Sequence, residues 1–403
     1  MKASVLSRIN FFFRSSFFLS FISSVVPQLV SFLGMLFLAR LYTPEDYGHL
    51  AFGMAVAAVI SAVISLRYES ALVVADQQDV FPLISIVLFF AVLVIAISCI
   101  LHYLIGGHWL WILMFSLSQV SLSLVASYWM RTESYFLIFT IRISAAFLNS
   151  IFPLVFFFLE VDEGLLNGLM VASLLIFSFL VALFVFHRPA GVGLDFFRVF
   201  KRYFYFTGKS LPGYLVNTLS YQAGYFMIPS YYGAGVAGSY FQAFRVGYFP
   251  MSMLATAASQ FFFARASRLK LAGDIKILMV KVHLLMFFIM LPYCIFVSFW
   301  PDVVVSLVLG DSWMIVADYL PFLSWFFFIS SIASSTSSVF YLYRRGWFEL
   351  FFNCLLAAIP VVLIVFLFEK DFSFYLLWYS ILSGVCYLYF LVWTYVKCDS
   401  LER

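Results

Sequence analysis

VAGSYFQAFRVGYFPMSMLATAASQFFFARA (Val236–Ala266) contains an apolar run, from about Ala237 to Phe263, that carries a single charge, Arg245. At about 1.5 Å per residue the run is long enough to cross the ~30 Å hydrocarbon core of a bilayer as one helix. Arg245 would then lie roughly 12 Å along it, at a depth where a charge costs about 2.5–3.5 kcal/mol on insertion scales. Keeping it there calls for a partner or a function.

Similar runs recur through the chain. Of the 403 residues 65% are hydrophobic and only 10% charged, and the mean hydropathy is +1.04. A soluble domain is nearer a quarter charged. The runs are continuous rather than alternating, which argues for helices and against a β-barrel. Twelve spans are expected, at 17–39, 48–66, 81–102, 109–129, 143–160, 164–187, 211–230, 237–263, 279–300, 319–340, 350–368 and 374–396. Lys2, Arg8 and Arg14 precede the first run, and no small-residue cleavage site follows it. That run is expected to be the first span and not a signal peptide.

Charge sets the orientation. With the N-terminus in the cytoplasm, 20 of the 23 Lys and Arg residues fall on the inner side. Arg40 and Lys370 fall outside, and Arg245 is left in the bilayer. The positive-inside rule therefore predicts both termini cytoplasmic. The longest outer loop, about Pro301 to Asp318, has no room for a catalytic domain. The expected organisation is a six-helix bundle over 1–190, a basic cytoplasmic linker over 191–210 and a second six-helix bundle over 211–403.

The two halves resemble each other. DYGHLAF (Asp46–Phe52) opens span 2 and VAGSYFQAF (Val236–Phe244) opens span 8, about 190 residues later. Six is an even number of spans, so both halves start on the same side and the repeat is parallel. Proteins built this way place a substrate path between the halves.

Polar residues inside the spans suggest such a path. Gly238, Gln242, Arg245, Tyr248, Ser252 and Thr256 fall on one side of a helical wheel. Ala243, Val246, Met251 and Leu254 fall on the other. Arg142 and Asn149 share a face of span 5, and Asn217 and Tyr221 a face of span 7. Interhelical hydrogen bonding explains any one of the weaker pairs, but together they fit a watery central cleft. No acid lies at the depth of Arg245, which leaves a cavity, a substrate anion or backbone carbonyls to receive it. The five cysteines and five histidines have no metal or redox spacing. No Walker A loop, HExxH or Rossmann glycine pattern occurs, so neither ATP coupling nor a bound cofactor or metal is expected.

ARLYTPEDYGHLAF (Ala39–Phe52), LRYESALVVA (Leu66–Ala75), KSLPGYLVNTLS (Lys209–Ser220), the Val236–Ala266 stretch and LVLGDSW (Leu307–Trp313) follow one another in order. Together they resemble the Wzx-type O-antigen and polysaccharide flippases of the multidrug/oligosaccharidyl-lipid/polysaccharide (MOP) exporter superfamily. The resemblance implies an all-α, V-shaped, MATE-like transporter and no enzyme. It also implies an undecaprenyl-diphosphate-linked oligosaccharide moved across a bacterial inner membrane, with membrane lipids and other polysaccharide assembly proteins as partners and no nucleic acid. Arg245 would attract the diphosphate, with Arg142 near the inner entrance and Gln242, Asn149, Asn217 and Ser252 lining the way. Glu69, Glu133 and Glu160, at span edges, are the carboxylates open to a coupling ion. Two other functions fit less well. A drug/cation antiporter of the same superfamily usually carries an acid in span 1 or 7, and there is none here. A membrane polysaccharide polymerase needs a larger outer loop or a carboxylate pair for a metal.

Overall fold

The computed structural model describes residues 16–105, 109–186, 196–205, 207–208, 211–267, 269, 271–339 and 346–398. The described residues form fifteen α-helices and no strand. They divide into two compact units, Met1–Tyr42 with Gly53–Leu215 and Thr43–Phe52 with Val216–Arg403.

The first unit contains α1 (Ser16–Ala39), the later part of α2 (Pro44–Ser65), α3 (Tyr68–Val74), α4 (Val80–Ile105), α5 (Trp109–Arg131), α6 (Tyr135–Phe158), α7 (Gly164–Phe186) and α8 (Phe196–Tyr205). Here α1 lies along α6, and α7 packs on both α5 and α6. The core is aliphatic, with Leu72, Leu83, Val87, Leu113 and Leu117 buried together.

Span 5 starts earlier than expected. Tyr135–Ile141 is apolar and joins the helix, so α6 begins eight residues before position 143 and Arg142 sits two turns inside it. Helix α8 lies within the expected linker. It is strongly amphipathic, burying Val199 and Tyr203 against α4 while Phe197 and Tyr205 stay exposed. Its basic face is held by Asp79, which is fully buried: Arg202 Nη1 lies 2.7 Å and Arg198 Nη2 3.4 Å from its carboxylate. Tyr203 Oη donates to the same carboxylate at 3.2 Å. Of the basic residues used to orient the chain, Lys2, Arg8, Arg14, Arg188, Lys209, Arg268, Lys270, Arg344, Arg345 and Arg403 lie outside the described residues.

The second unit contains the start of α2, most of α9 (Leu211–Tyr232), α10 (Ala234–Ala266), α11 (Ala272–Phe299), α12 (Pro301–Val308), α13 (Ile315–Ser334), α14 (Gly346–Leu367) and α15 (Phe372–Cys398). Its core is aromatic: Tyr47 meets the buried Trp313 edge-on at 5.3 Å, and Phe244 meets Phe327 at 4.7 Å. The two helix starts matched as a repeat pack on each other. A Cβ on Gly48 would lie 2.0 Å from the Ala234 carbonyl oxygen, and one on Gly238 would lie 1.9 Å from the Pro44 carbonyl oxygen. Gly48 and Pro44 are each 190 residues before Gly238 and Ala234, so the contact is reciprocal. Only glycine lets the two backbones approach this closely.

Twelve helices coincide with the twelve expected spans. Ten stretches among the described residues are long and apolar enough to cross a membrane. Helices α9 and α10, of 22 and 33 residues, are long enough but too polar to be among them. Their polarity reflects the cavity they line.

Candidate functional site

Within the second unit, α9, α10, α13, α14 and α15 enclose a cavity of ≈ 290 Å³. Arg245 projects into it among Tyr221, Tyr225, Tyr248, Tyr379 and Tyr387. Ser252 lines the same wall two turns further along α10. No lining residue is acidic. The guanidinium carbon of Arg245 lies 4.8 Å from the centre of the Phe241 ring, a cation–π contact. Its Nη1 is buried and has no hydrogen-bond partner among the described residues. No described carboxylate forms an ion pair with it. An aromatic face attracts a cation but cannot use its N–H donors, so the fork is left free to bind an anion bidentately.

The polar stripe of α10 divides in two. Arg245, Tyr248 and Ser252 face the cavity, whereas Gln242 is fully buried outside it. Gln242 is one turn from Gly238, where Pro44 packs, and both of its amide atoms lack partners among the described residues. On the other side of α10, Ala243, Val246 and Met251 are buried and Leu254 is exposed. Asn217 lies one turn before Tyr221 on α9 and does not line the cavity.

The first unit holds the other expected residues. Arg142 Nη1 donates to Ser24 Oγ on α1 at 3.0 Å. Asn149, two turns further along α6, has a buried Oδ1 with no partner among the described residues. Glu69 forms an ion pair with Arg67 at 3.3 Å, and the Arg67 guanidinium stacks 4.4 Å from the centre of the Tyr214 ring. Glu133 and Glu160 are exposed in the turns after α5 and α6, both with left-handed backbone.

Sequence reading missed the tyrosines of α15. Their signal was present: Tyr375, Tyr379, Ser383 and Tyr387 recur every four residues, which places them on one helix face. Tyr248 and Tyr221 belong to polar stripes on their own helices, but their meeting with α15 is tertiary.

A multi-pass membrane protein is what these elements define. The fold is shared with an outward-facing multidrug resistance MATE family transporter of the MOP superfamily, at TM-score 0.57 and 13% identity over 96% of this chain and 95% of that one. It is shared equally with a MOP superfamily transporter from Pyrococcus furiosus described as having a binding pocket of reversed polarity, at 0.58 and 14% over 96% and 95%. The lipid II flippase MurJ in an inward closed conformation aligns at 0.52 and 14% over 98% and 90%. No curated protein sequence matches. The profile of the polysaccharide biosynthesis protein family matches residues 37–318, and the chain belongs to that family.

Proposed function

We propose that this protein is a flippase that carries an undecaprenyl-diphosphate-linked oligosaccharide from the inner to the outer leaflet of a bacterial cytoplasmic membrane. It works by alternating access, with both termini cytoplasmic. The observation that carries this reading is the Arg245 guanidinium, which has no acid partner among the described residues and faces a tyrosine-lined cavity. An Arg fork with free donors suits a diphosphate, because phosphate oxygens accept two parallel N–H bonds. Tyrosine rings and hydroxyls suit sugars, offering an apolar face and a polar edge together. At ≈ 290 Å³ the cavity sits at the small end of ligand sites, room for part of a headgroup. A cationic drug would meet a like charge here and no carboxylate to offset it. Family membership and the transporter fold support the same class.

The test is movement of a fluorescent polyprenyl-diphosphate sugar in proteoliposomes, scored per inserted molecule. Two charge-assisted hydrogen bonds lost should lower the rate of Arg245→Ala by about 100-fold or more. Arg245→Lys should keep an intermediate rate, since it retains charge but not the fork. Arg245→Glu should be inactive. An alanine variant that inserts normally and transports at the wild-type rate would refute the assignment.

A further inference from the structure

One buried ionisable group has no place in the cavity. His283, on α11, is only 7% exposed. It lies 11 residues into the helix, about 16 Å from its start. Its Nε2 is 2.8 Å from Thr336 Oγ1, in the turn after α13, and its Nδ1 is hydrogen-bonded to Tyr395 Oη on α15. The His283 and Tyr395 rings meet edge-on at 5.5 Å. Three helical elements of one unit therefore converge on a single imidazole.

Among the described residues no carboxylate pairs with the ring. Between Tyr248 and Arg265, α10 has no ionisable side chain, and from Pro321 to Val339 α13 and its following turn have none. On α11 itself Asp274 and Lys276 lie toward the helix start, and Lys281 is two residues away, on the exposed side. On α15, Tyr395 is the ionisable group that bonds the ring, and Lys397 follows two residues on.

The chemistry of the two partners is informative. A carbonyl or carboxylate fixes a histidine in one tautomer because it can only accept. A hydroxyl both donates and accepts. With neutral His283, Tyr395 O–H can donate to Nδ1 while Nε2–H donates to Thr336. After proton uptake both ring nitrogens donate and both hydroxyls accept. Neither hydrogen bond is lost between the two charge states. Thr336 is fully buried, whereas Tyr395 is partly exposed near the end of α15. That gives the ring one hydroxyl route to solvent. A proton arriving at Tyr395 Oη displaces the phenol proton onto Nδ1, which leaves tyrosine neutral and the imidazole charged.

We propose that His283 is a proton-binding site and that its charging drives the ion-coupled step of transport. A buried imidazolium with no counter-ion among the described residues is costly, so proton uptake favours a conformation in which the α11–α13–α15 junction is more hydrated. The coupling half of this proposal rests on the transporter reading above; the proton site does not.

The experiment uses the full chain in nanodiscs with ¹⁵N-histidine, followed by NMR from about pH 4 to 9, a range that brackets the ordinary histidine value. His283→Gln identifies the His283 signals. A second variant with glutamine at His49, His102, His108 and His187 reads His283 alone, whether or not His283→Gln folds. The expected result is conversion from one protonated and one bare ring nitrogen to two protonated nitrogens. A single neutral tautomer across the whole range would overturn the site. In proteoliposomes an imposed pH gradient should change the wild-type rate several-fold, and His283→Gln should keep the gradient-free rate but lose the response. A glutamine variant that responds like wild type would overturn the coupling. If the wild type moved no lipid-linked sugar, the transport reading would fail while the NMR titration still decided the proton site.

Discussion

Replacing Gly238 by alanine should destabilise the second unit through one defined clash. The new Cβ would be 1.9 Å from the Pro44 carbonyl oxygen and 2.8 Å from the Gly48 nitrogen. Both neighbours are backbone, so no side chain can rotate away. Carbon and oxygen in contact need roughly 3.2–3.5 Å, so the starts of α2 and α10 must part by more than an ångström. Overpacking of this kind costs about 1–3 kcal/mol. Gly48→Ala should behave alike, since its Cβ would lie 2.0 Å from the Ala234 oxygen. The double variant should cost less than the sum of the two, because a single separation relieves both clashes. Gly273→Ala in α11 is the control: nothing lies within 4 Å of its Cβ, and alanine in place of a helical glycine should stabilise by roughly 0.5–1 kcal/mol. The assay is reversible unfolding of purified protein in mixed micelles, read by tryptophan fluorescence, since Trp313 is buried against Tyr47 in the same unit. Gly238→Ala unfolding at the wild-type midpoint, or no earlier than Gly273→Ala, would refute the close approach of the two helices.

Three further outcomes are expected. Cysteine at Ser252 should react with a small water-soluble thiol reagent roughly tenfold or more faster than cysteine at Met251 or Leu254, because the thiolate forms only where water reaches it; equal rates would remove water from the cavity. Asp79→Asn should speed hydrogen exchange in α8 while leaving the α4–α5 core protected, because it removes the carboxylate that holds Arg202, Arg198 and Tyr203. Burial raises the Tyr203 phenol above its ordinary value of 10.0, so the stability it contributes is complete below pH 10 and is lost as pH rises past the folded value; the protection factors of α8, corrected for the intrinsic rise of exchange with pH, should therefore fall first in alkali, and protection factors that alkali leaves unchanged would count against the docking. Reporter fusions after Arg202 should read cytoplasm and fusions after Gly233 and Asp311 the outside, as the basic-residue bias requires.

Much of the fold was legible in the sequence because a bilayer restricts the options. Backbone polar groups must be satisfied within each segment, so apolar runs of sufficient length become helices. That made the twelve helices legible, and it drew attention to the helix starts at Gly48 and Gly238, which pack on each other. Arg245 was legible for the same reason, since a charge in an apolar run is visible without any structure. The division of its stripe was not. Gln242 and Ser252 share a face with Arg245 by periodicity, and only tertiary packing makes one fully buried and puts the other on the cavity wall. His283 was illegible too: its partners Thr336 and Tyr395 are 53 and 112 residues away, and no periodicity within one helix reports a hydrogen bond to two others. Local sequence determines what each helix is and how deep its polar groups lie. Which of those groups meet is decided by long-range packing, because that depends on the shape of every neighbouring side chain at once.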